Sequence, residues 1–172
     1  MFTKDFKELL SAFNAHQVKY LIVGGYAVAF HAQPRATKDL DLFVQPEPKN
    51  GEAVFAALAK FGAPMGGLKP ADLIDPGSFF RMGVPPHMIE ILSQISGVTF
   101  EDAWRGRVET VIDEQTGLKA FVISADDFIT NKLASGRHQD FADVEAVRAA
   151  QHLPPEPETP KPTDKKNGGP QA

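Results

Sequence analysis

The stretch YLIVGGYAVAFHAQPRATKDLDLFV, residues 20–44, decides how this chain folds. Its opening run, Tyr20-Leu21-Ile22-Val23, is continuously apolar and suits a buried strand. Gly24-Gly25 stops that run. Tyr26 to Ala32 reads as a short helix ending before Pro34, because a proline disfavours helical backbone in the residue preceding it. Leu40, Leu42 and Val44 then alternate with Asp39, Asp41 and Phe43, the period-two pattern of a second strand.

Working outward, Phe2, Phe6, Leu9, Leu10 and Phe13 recur at helical spacing and predict an amphipathic helix over residues 3–15. Another helix is expected over 53–61. Residues 62–78 contain Gly62, Pro64, Gly66-Gly67, Pro70, Pro76 and Gly77, the composition of an irregular connection. Strands are predicted over 79–84 and 87–93, joined through Pro85-Pro86. Thr99 caps a predicted helix over 99–105. Segments 108–112 and 118–123 form a predicted hairpin across Glu114-Gln115-Thr116-Gly117. Ser124 caps a helix over 125–135, with Asp127 at the capping-box position, and Gly136 ends it. A last helix opens at Gln139 or Asp140 and runs to Ala150. Strands that come both with intervening helices and as hairpins predict an α/β (α+β) fold, a small mixed sheet flanked by helices.

From Gln151 the text changes to QHLPPEPETPKPTDKKNGGPQA, which holds six of the fourteen prolines and no large apolar residue after Leu153. Such a segment cannot bury enough surface to offset its ordering entropy, so 151–172 is expected to be a disordered tail after a working domain over 1–150.

Composition narrows the function. Hydrophobic residues make up 42% and charged residues 23%, the profile of a soluble globular protein. No run approaches the roughly 18 apolar residues that span a bilayer, and the first residues lack the basic and apolar segments of a secretion signal. The absence of cysteine excludes disulfides, thiolate nucleophiles and cysteine zinc sites. Together these features suggest the cytoplasm and no membrane contact. Eighteen Lys and Arg against 22 Asp and Glu leave a net charge of −4. That balance disfavours a general nucleic-acid-binding module, which is usually basic, and favours a focused substrate contact.

The chemistry sits inside the opening stretch. Asp39 and Asp41, two apart on a strand, project from the same face. Side by side they repel, and half-burying them is costly unless a cation compensates. Magnesium suits them, because it prefers oxygen ligands and is commonly held by one or two carboxylates plus substrate phosphates. Glycines at a strand-to-helix turn allow close backbone approach, and the helix start offers free N–H groups, so Gly24-Gly25 suits a triphosphate. No Gly-Lys-Ser/Thr follows and no Gly-x-Gly-x-x-Gly is present, so this is neither a P-loop nor a dinucleotide fingerprint.

Residues 20–44, with Gly24-Gly25 and Asp39-Leu40-Asp41, resemble the signature of the polymerase-β-like nucleotidyltransferase superfamily. The local form, with Arg35 and Thr37, is most similar to bacterial abortive-infection and related toxin-type nucleotidyltransferases and their uncharacterised relatives. The later run ISADDFITNKLASGRHQDFADVEAV, residues 123–147, also resembles that group. The resemblance implies two-metal nucleotidyl transfer: Asp39 and Asp41 hold two magnesium ions, and a third carboxylate completes one site. Glu90 fits that third place, as a lone acid among apolar residues on a strand, although Asp is commoner there in the superfamily. Glu90 is also a candidate base. By resemblance Lys132 and Arg137 bind phosphates; their spacing fits a solvated helix face equally well. Arg35 and Thr37, on the loop entering the catalytic strand, are candidate triphosphate contacts. Asp140 is expected to cap the last helix and Asp143 to pair with Lys132 or Arg137. The five histidines lack metal-ligand spacing, and His31 reads as a helix-surface residue. Trp104, at helical spacing from Phe100, reads as core.

The resulting expectation is an enzyme that moves an NMP from an NTP to an acceptor hydroxyl on RNA such as tRNA, on protein or on a small molecule. A toxin–antitoxin or phage-defence setting, and a homodimer or cognate partner protein, go with it. The competing reading is a catalytically silent member acting as a regulatory or antitoxin-like binding partner. Every signature carboxylate and turn glycine is present, which favours activity.

Overall fold

The computed structural model describes residues 2–33 and 36–152. The expected Pro-rich tail lies outside the described residues from Leu153 onward, as does Arg35. The chain opens with helix α1, Lys4–Ala15, where Thr3 Oγ1 accepts a hydrogen bond from Phe6 N at 3.3 Å. Its predicted apolar face, Phe6, Leu9, Leu10 and Phe13, is buried. Strand β1, Tyr20–Val23, is buried at all four positions. Helix α2, Gly24–His31, begins at the two glycines rather than at Tyr26, so they form its first turn. Strand β2 follows at Leu40–Val44.

Helix α3, Pro48–Phe61, starts five residues before the expected position. Pro48 suits the first turn, where its missing N–H costs nothing. Polar Asn50 then hides the helical pattern, because its side chain is buried for a tertiary purpose. It accepts from Lys19 N at 2.8 Å and donates to the carbonyls of Lys19 and Gln45, both at 3.0 Å. One side chain thereby ties the start of β1 to the end of β2. The irregular connection that follows contains one short 3₁₀ turn, Pro70–Leu73.

Strands β3, Phe79–Val84, and β4, His87–Leu92, form a hairpin. Helix α4, Phe100–Gly106, is capped by Thr99. Strands β5, Val108–Asp113, and β6, Leu118–Val122, make the second hairpin. Helix α5, Ala125–Ser135, has Ser124 Oγ accepting from Asp127 N, and ends at Gly136 with φ +65°. Helix α6, His138–Ala150, starts earlier than Gln139 because Arg137 is its cap residue. Asp140, at the third helical position, accepts from Arg137 N at 3.2 Å.

The six strands form one mixed sheet in the order β3-β4-β2-β1-β6-β5. β1 runs antiparallel to β2 and parallel to β6, and β2 runs parallel to β4. The mixed α/β architecture expected from the sequence is the one observed. The core joins the central strands to buried residues of all the helices from α1 to α6. Among the described residues no helix is long and apolar enough to cross a membrane.

Two side chains test the surface-versus-core reading. Trp104 stacks on Phe100 at a centroid distance of 5.6 Å and meets Phe121 edge-on, while the Arg107 guanidinium covers its ring at 4.0 Å. It is part of the core margin, as expected. His31 corrects the reading: it is buried, and its Nε2 donates to the Ile123 carbonyl at 2.6 Å. The carbonyl beyond β6 needs a donor, and α2 is covered by the sheet and α6, so its last residue faces inward rather than to solvent.

Candidate active site

Strand register assembles the acidic cluster. Asp41 pairs with Val23 on β1 and with Glu90 on β4, so it lies beside the Gly24 turn on one side and beside Glu90 on the other. In-register neighbours on adjacent strands share a face, and Asp39 lies two residues before Asp41. Asp39 Oδ1 accepts from Met88 N at 3.3 Å, which anchors it to β4.

The turn glycines are required by this approach. Gly24 has φ +61°, and a Cβ there would overlap Asp41 Oδ2 and lie 2.8 Å from Asp41 Cγ. A Cβ on Gly25 would overlap Thr37 Oγ1. The Gly25 backbone amide hydrogen-bonds the Asp41 carboxylate. Thus the start of α2 is pressed against Asp41, and Thr37 backs Gly25.

Asp41 bears the electrostatic cost. Its pKa is pushed up to about 6, first by burial and then by the charges of Glu90 and Asp39, against the opposing pull of Lys132 and the Gly25 amide. The cluster therefore carries negative charge that its surroundings only partly compensate.

A cation that the sequence reading missed partly offsets it. Arg81 on β3 is in register with Glu90, and its Nε lies 3.1 Å from Glu90 Oε1. One of its two terminal nitrogens, Nη2, lies 3.9 Å from Asp39 Oδ2. Phe79-Phe80-Arg81-Met82 shows no local sign of this role; only the pairing of β3 with β4 reveals it.

The opposite wall comes from α5 and α6. Lys132 Nζ lies 2.7 Å from Asp140 Oδ1 and 3.3 Å from Asp143 Oδ2, and both carboxylates are buried. Burial would raise the Asp140 acid, but the Lys132 hydrogen bond and charge, with the Arg137 amide and guanidinium, hold it below the usual carboxylate range. Asp140 thus does more than cap α6: it also fixes Lys132. Arg137 is mostly exposed, with Nε 3.5 Å from Asp140 Oδ2.

Between the walls lies a cleft of ≈ 540 Å³. Gly24, Gly25, Asp41, Glu90, Lys132 and Arg137 all line it, so distant parts of the chain converge as the sequence reading required. Asp39 and Thr37 flank this cleft without lining it. Gln94, Ser96, Asn131 and Gln139 add neutral polar groups that no local motif announced.

The donor set suits a hard divalent cation: carboxylate oxygens on one sheet face, with Asp41 raised by its acidic neighbours. Among the described residues no three His, Cys, Asp or Glu side chains are arranged to hold an ion between them. Magnesium needs only one or two carboxylates when phosphate oxygens complete its shell, so the residues present fit an ion that arrives with nucleotide.

A glycine-started helix facing Asp-x-Asp, with an acidic neighbour strand and Lys132 and Arg137 on the opposite wall, is the arrangement expected of a nucleotidyltransferase. The chain matches, over residues 2–154, the family described as nucleotidyltransferase of unknown function (DUF6036), and it belongs to that family. No curated protein matches the chain significantly.

Proposed function

We propose that this protein transfers a nucleotidyl group from an NTP to an acceptor hydroxyl, with magnesium bound at Asp39 and Asp41. The observation that carries the reading is Asp41 itself, set between the Gly24-Gly25 helix start and Glu90 at the floor of the cleft. The triphosphate lies against the α2 N-terminus, where the helix dipole and first-turn amides other than that of Gly25 favour negative charge. Lys132, positioned by Asp140 and Asp143, presents its ammonium to the same phosphates. Arg137, at the exposed rim, adds a second cation for nucleotide or acceptor.

Two magnesium ions, when bound, neutralise the triphosphate and lower the pKa of the acceptor hydroxyl. Glu90 is placed to complete one ion site or to take the acceptor proton. The acceptor oxygen then bonds to the α-phosphorus while the α–β phosphoanhydride bond breaks, and pyrophosphate leaves. The acceptor is a hydroxyl of RNA, protein or a small molecule. The likeness of residues 20–44 and 123–147 to abortive-infection nucleotidyltransferases supports a cytoplasmic toxin–antitoxin or defence setting. A second copy or a partner protein would complete the acceptor side of the cleft.

Calorimetry with each NTP at millimolar magnesium tests the reading. The wild type is expected to bind at least one NTP, and Asp39→Ala with Asp41→Ala to abolish binding. Failure of the wild type to bind any NTP would favour a silent family member instead.

A further inference from the structure

Among the described residues, Arg81 is the cation in contact with Glu90 and Asp39 on the sheet wall, and it sits where displacement is easy. Its backbone belongs to β3, the edge strand of the sheet, so nothing in the sheet lies beyond it. Its side chain is 48% exposed, Asp39 is 44% exposed and Glu90 27%. The guanidinium reaches Glu90 closely, at 3.1 Å, and Asp39 loosely, at 3.9 Å. Glu90 is also a wall of the cleft, whereas Arg81 approaches from the flank and does not line it. The β3–β4 ladder runs through six residue pairs from Phe79–Leu92 to Val84–His87, so strand register does not depend on this ion pair.

We propose that Arg81 is a built-in counter-cation of the candidate metal centre. It holds Glu90 and Asp39 while no divalent ion is bound, is displaced when one binds, and so sets the ion concentration at which the site fills. This inference rests on the metal-dependent reading above. Its physical basis is a competition of like for like. A divalent ion and a guanidinium both seek the same carboxylate oxygens, and the oxygen engaged by Arg81 Nε is lost to an ion until that contact opens. A half-exposed pair is worth little in water, because solvent screens the attraction and side-chain entropy opposes it. It is weak enough for a divalent ion to displace and strong enough to weaken that ion's binding. Released, the guanidinium can rotate off the open edge of β3 into solvent without disturbing the core.

The test is direct binding of Mn²⁺ to the full chain, with and without a saturating non-hydrolysable NTP analogue, followed by the electron paramagnetic resonance of the ion. It compares wild type, Arg81→Gln, Arg81→Lys and Asp41→Asn. Arg81→Gln is expected to bind Mn²⁺ about two- to fivefold tighter, the factor a half-exposed ion pair commands. Arg81→Lys, which keeps the charge on a shorter and non-planar head, should fall between Gln and wild type. Thermal unfolding gives a second readout without turnover: Mn²⁺ should raise the midpoint of Arg81→Gln more than that of wild type. Arg81→Gln binding no tighter than wild type, while Asp41→Asn loses binding, overturns the counter-cation and leaves the metal centre standing. Mn²⁺ binding unchanged in Asp41→Asn, or absent from both wild type and Arg81→Gln even with the analogue, overturns the metal centre and this proposal together.

Discussion

The two walls of the cleft use the same residue types toward different ends. On the helical wall Lys132 sits between Asp140 and Asp143, and Asp140 is held below the usual carboxylate range. On the sheet wall Arg81 meets Glu90 and Asp39 from the flank, while Asp41 is pushed up to about 6. Burial acts on both Asp41 and Asp140, so desolvation alone does not separate them. What separates them is the sign of the nearest charges. Asp140 has cations within contact, whereas Asp41 has two more carboxylates. A buried acid that is neutralised holds structure; one left with surplus charge suits the cation proposed above.

The largest expected effect breaks the helical wall. Lys132→Met leaves Asp140 to Arg137, whose side chain is mostly exposed, and takes one cation from Asp143. The protein should lose about 3–5 kcal/mol of stability, as when one partner of a buried pair is removed. Chemical denaturation measures this, and adding Asp140→Asn should restore part of the loss. If Lys132→Met unfolded at the wild-type denaturant concentration, the pairing would not be structural and the contrast between the walls would fail.

Next is Gly24→Ala, which forces a Cβ onto the Asp41 carboxylate at a left-handed φ. A cost of about 2–4 kcal/mol is expected from backbone strain together with the displaced side chain. Pairing it with Asp41→Gly, which removes the obstacle, should recover the steric part and sharpen the claim that the turn is pressed against this one residue.

A gain is expected from the sheet wall. Asp41→Asn should stabilise the ion-free protein by about 1–3 kcal/mol at pH 7.5, since a shift of about two pKa units corresponds to that order. Because the folded pKa is raised, the folded state holds its proton longer than the unfolded chain. Ionised Asp41 therefore costs stability fully above about pH 6, and the cost fades as pH falls toward the ordinary value of 3.8. The advantage of Asn should shrink in that window. An Asn variant less stable than wild type at pH 7.5 would contradict the surplus charge.

The smallest effect is the control. Lys119 Nζ and Glu109 Oε1 lie 2.7 Å apart on the exposed β5–β6 hairpin, with both side chains about half exposed. Lys119→Ala should change stability by less than about 0.5 kcal/mol. A larger loss would show that geometry alone, rather than burial, separates the cleft pairs from surface pairs.

These contrasts explain what could be read in advance. Asp39, Asp41 and the turn glycines were legible because strand periodicity and a short strand–helix–strand path are local. Glu90 required a resemblance, since nothing within residues 87–92 says which strand β4 will join. Arg81 escaped because its meaning depends on β3 register with Glu90, a tertiary fact. His31 was misplaced for the same reason: its partner carbonyl, Ile123, is 92 residues away. The start of α3 was missed because Asn50 is polar in sequence but buried in service of Lys19 and Gln45.

The central claim, nucleotidyl transfer at the Asp41 centre, is tested most directly by incubating the protein and magnesium with cell extract and NTPs labelled at either the α- or the γ-phosphate. The account predicts that α-label enters an acceptor in tRNA, protein or small molecules and γ-label does not. It also predicts that Asp41→Asn lowers α-label transfer at least about a hundredfold, in line with loss of a metal ligand. Transfer of the γ-label, or α-label transfer undiminished in Asp41→Asn, would contradict it.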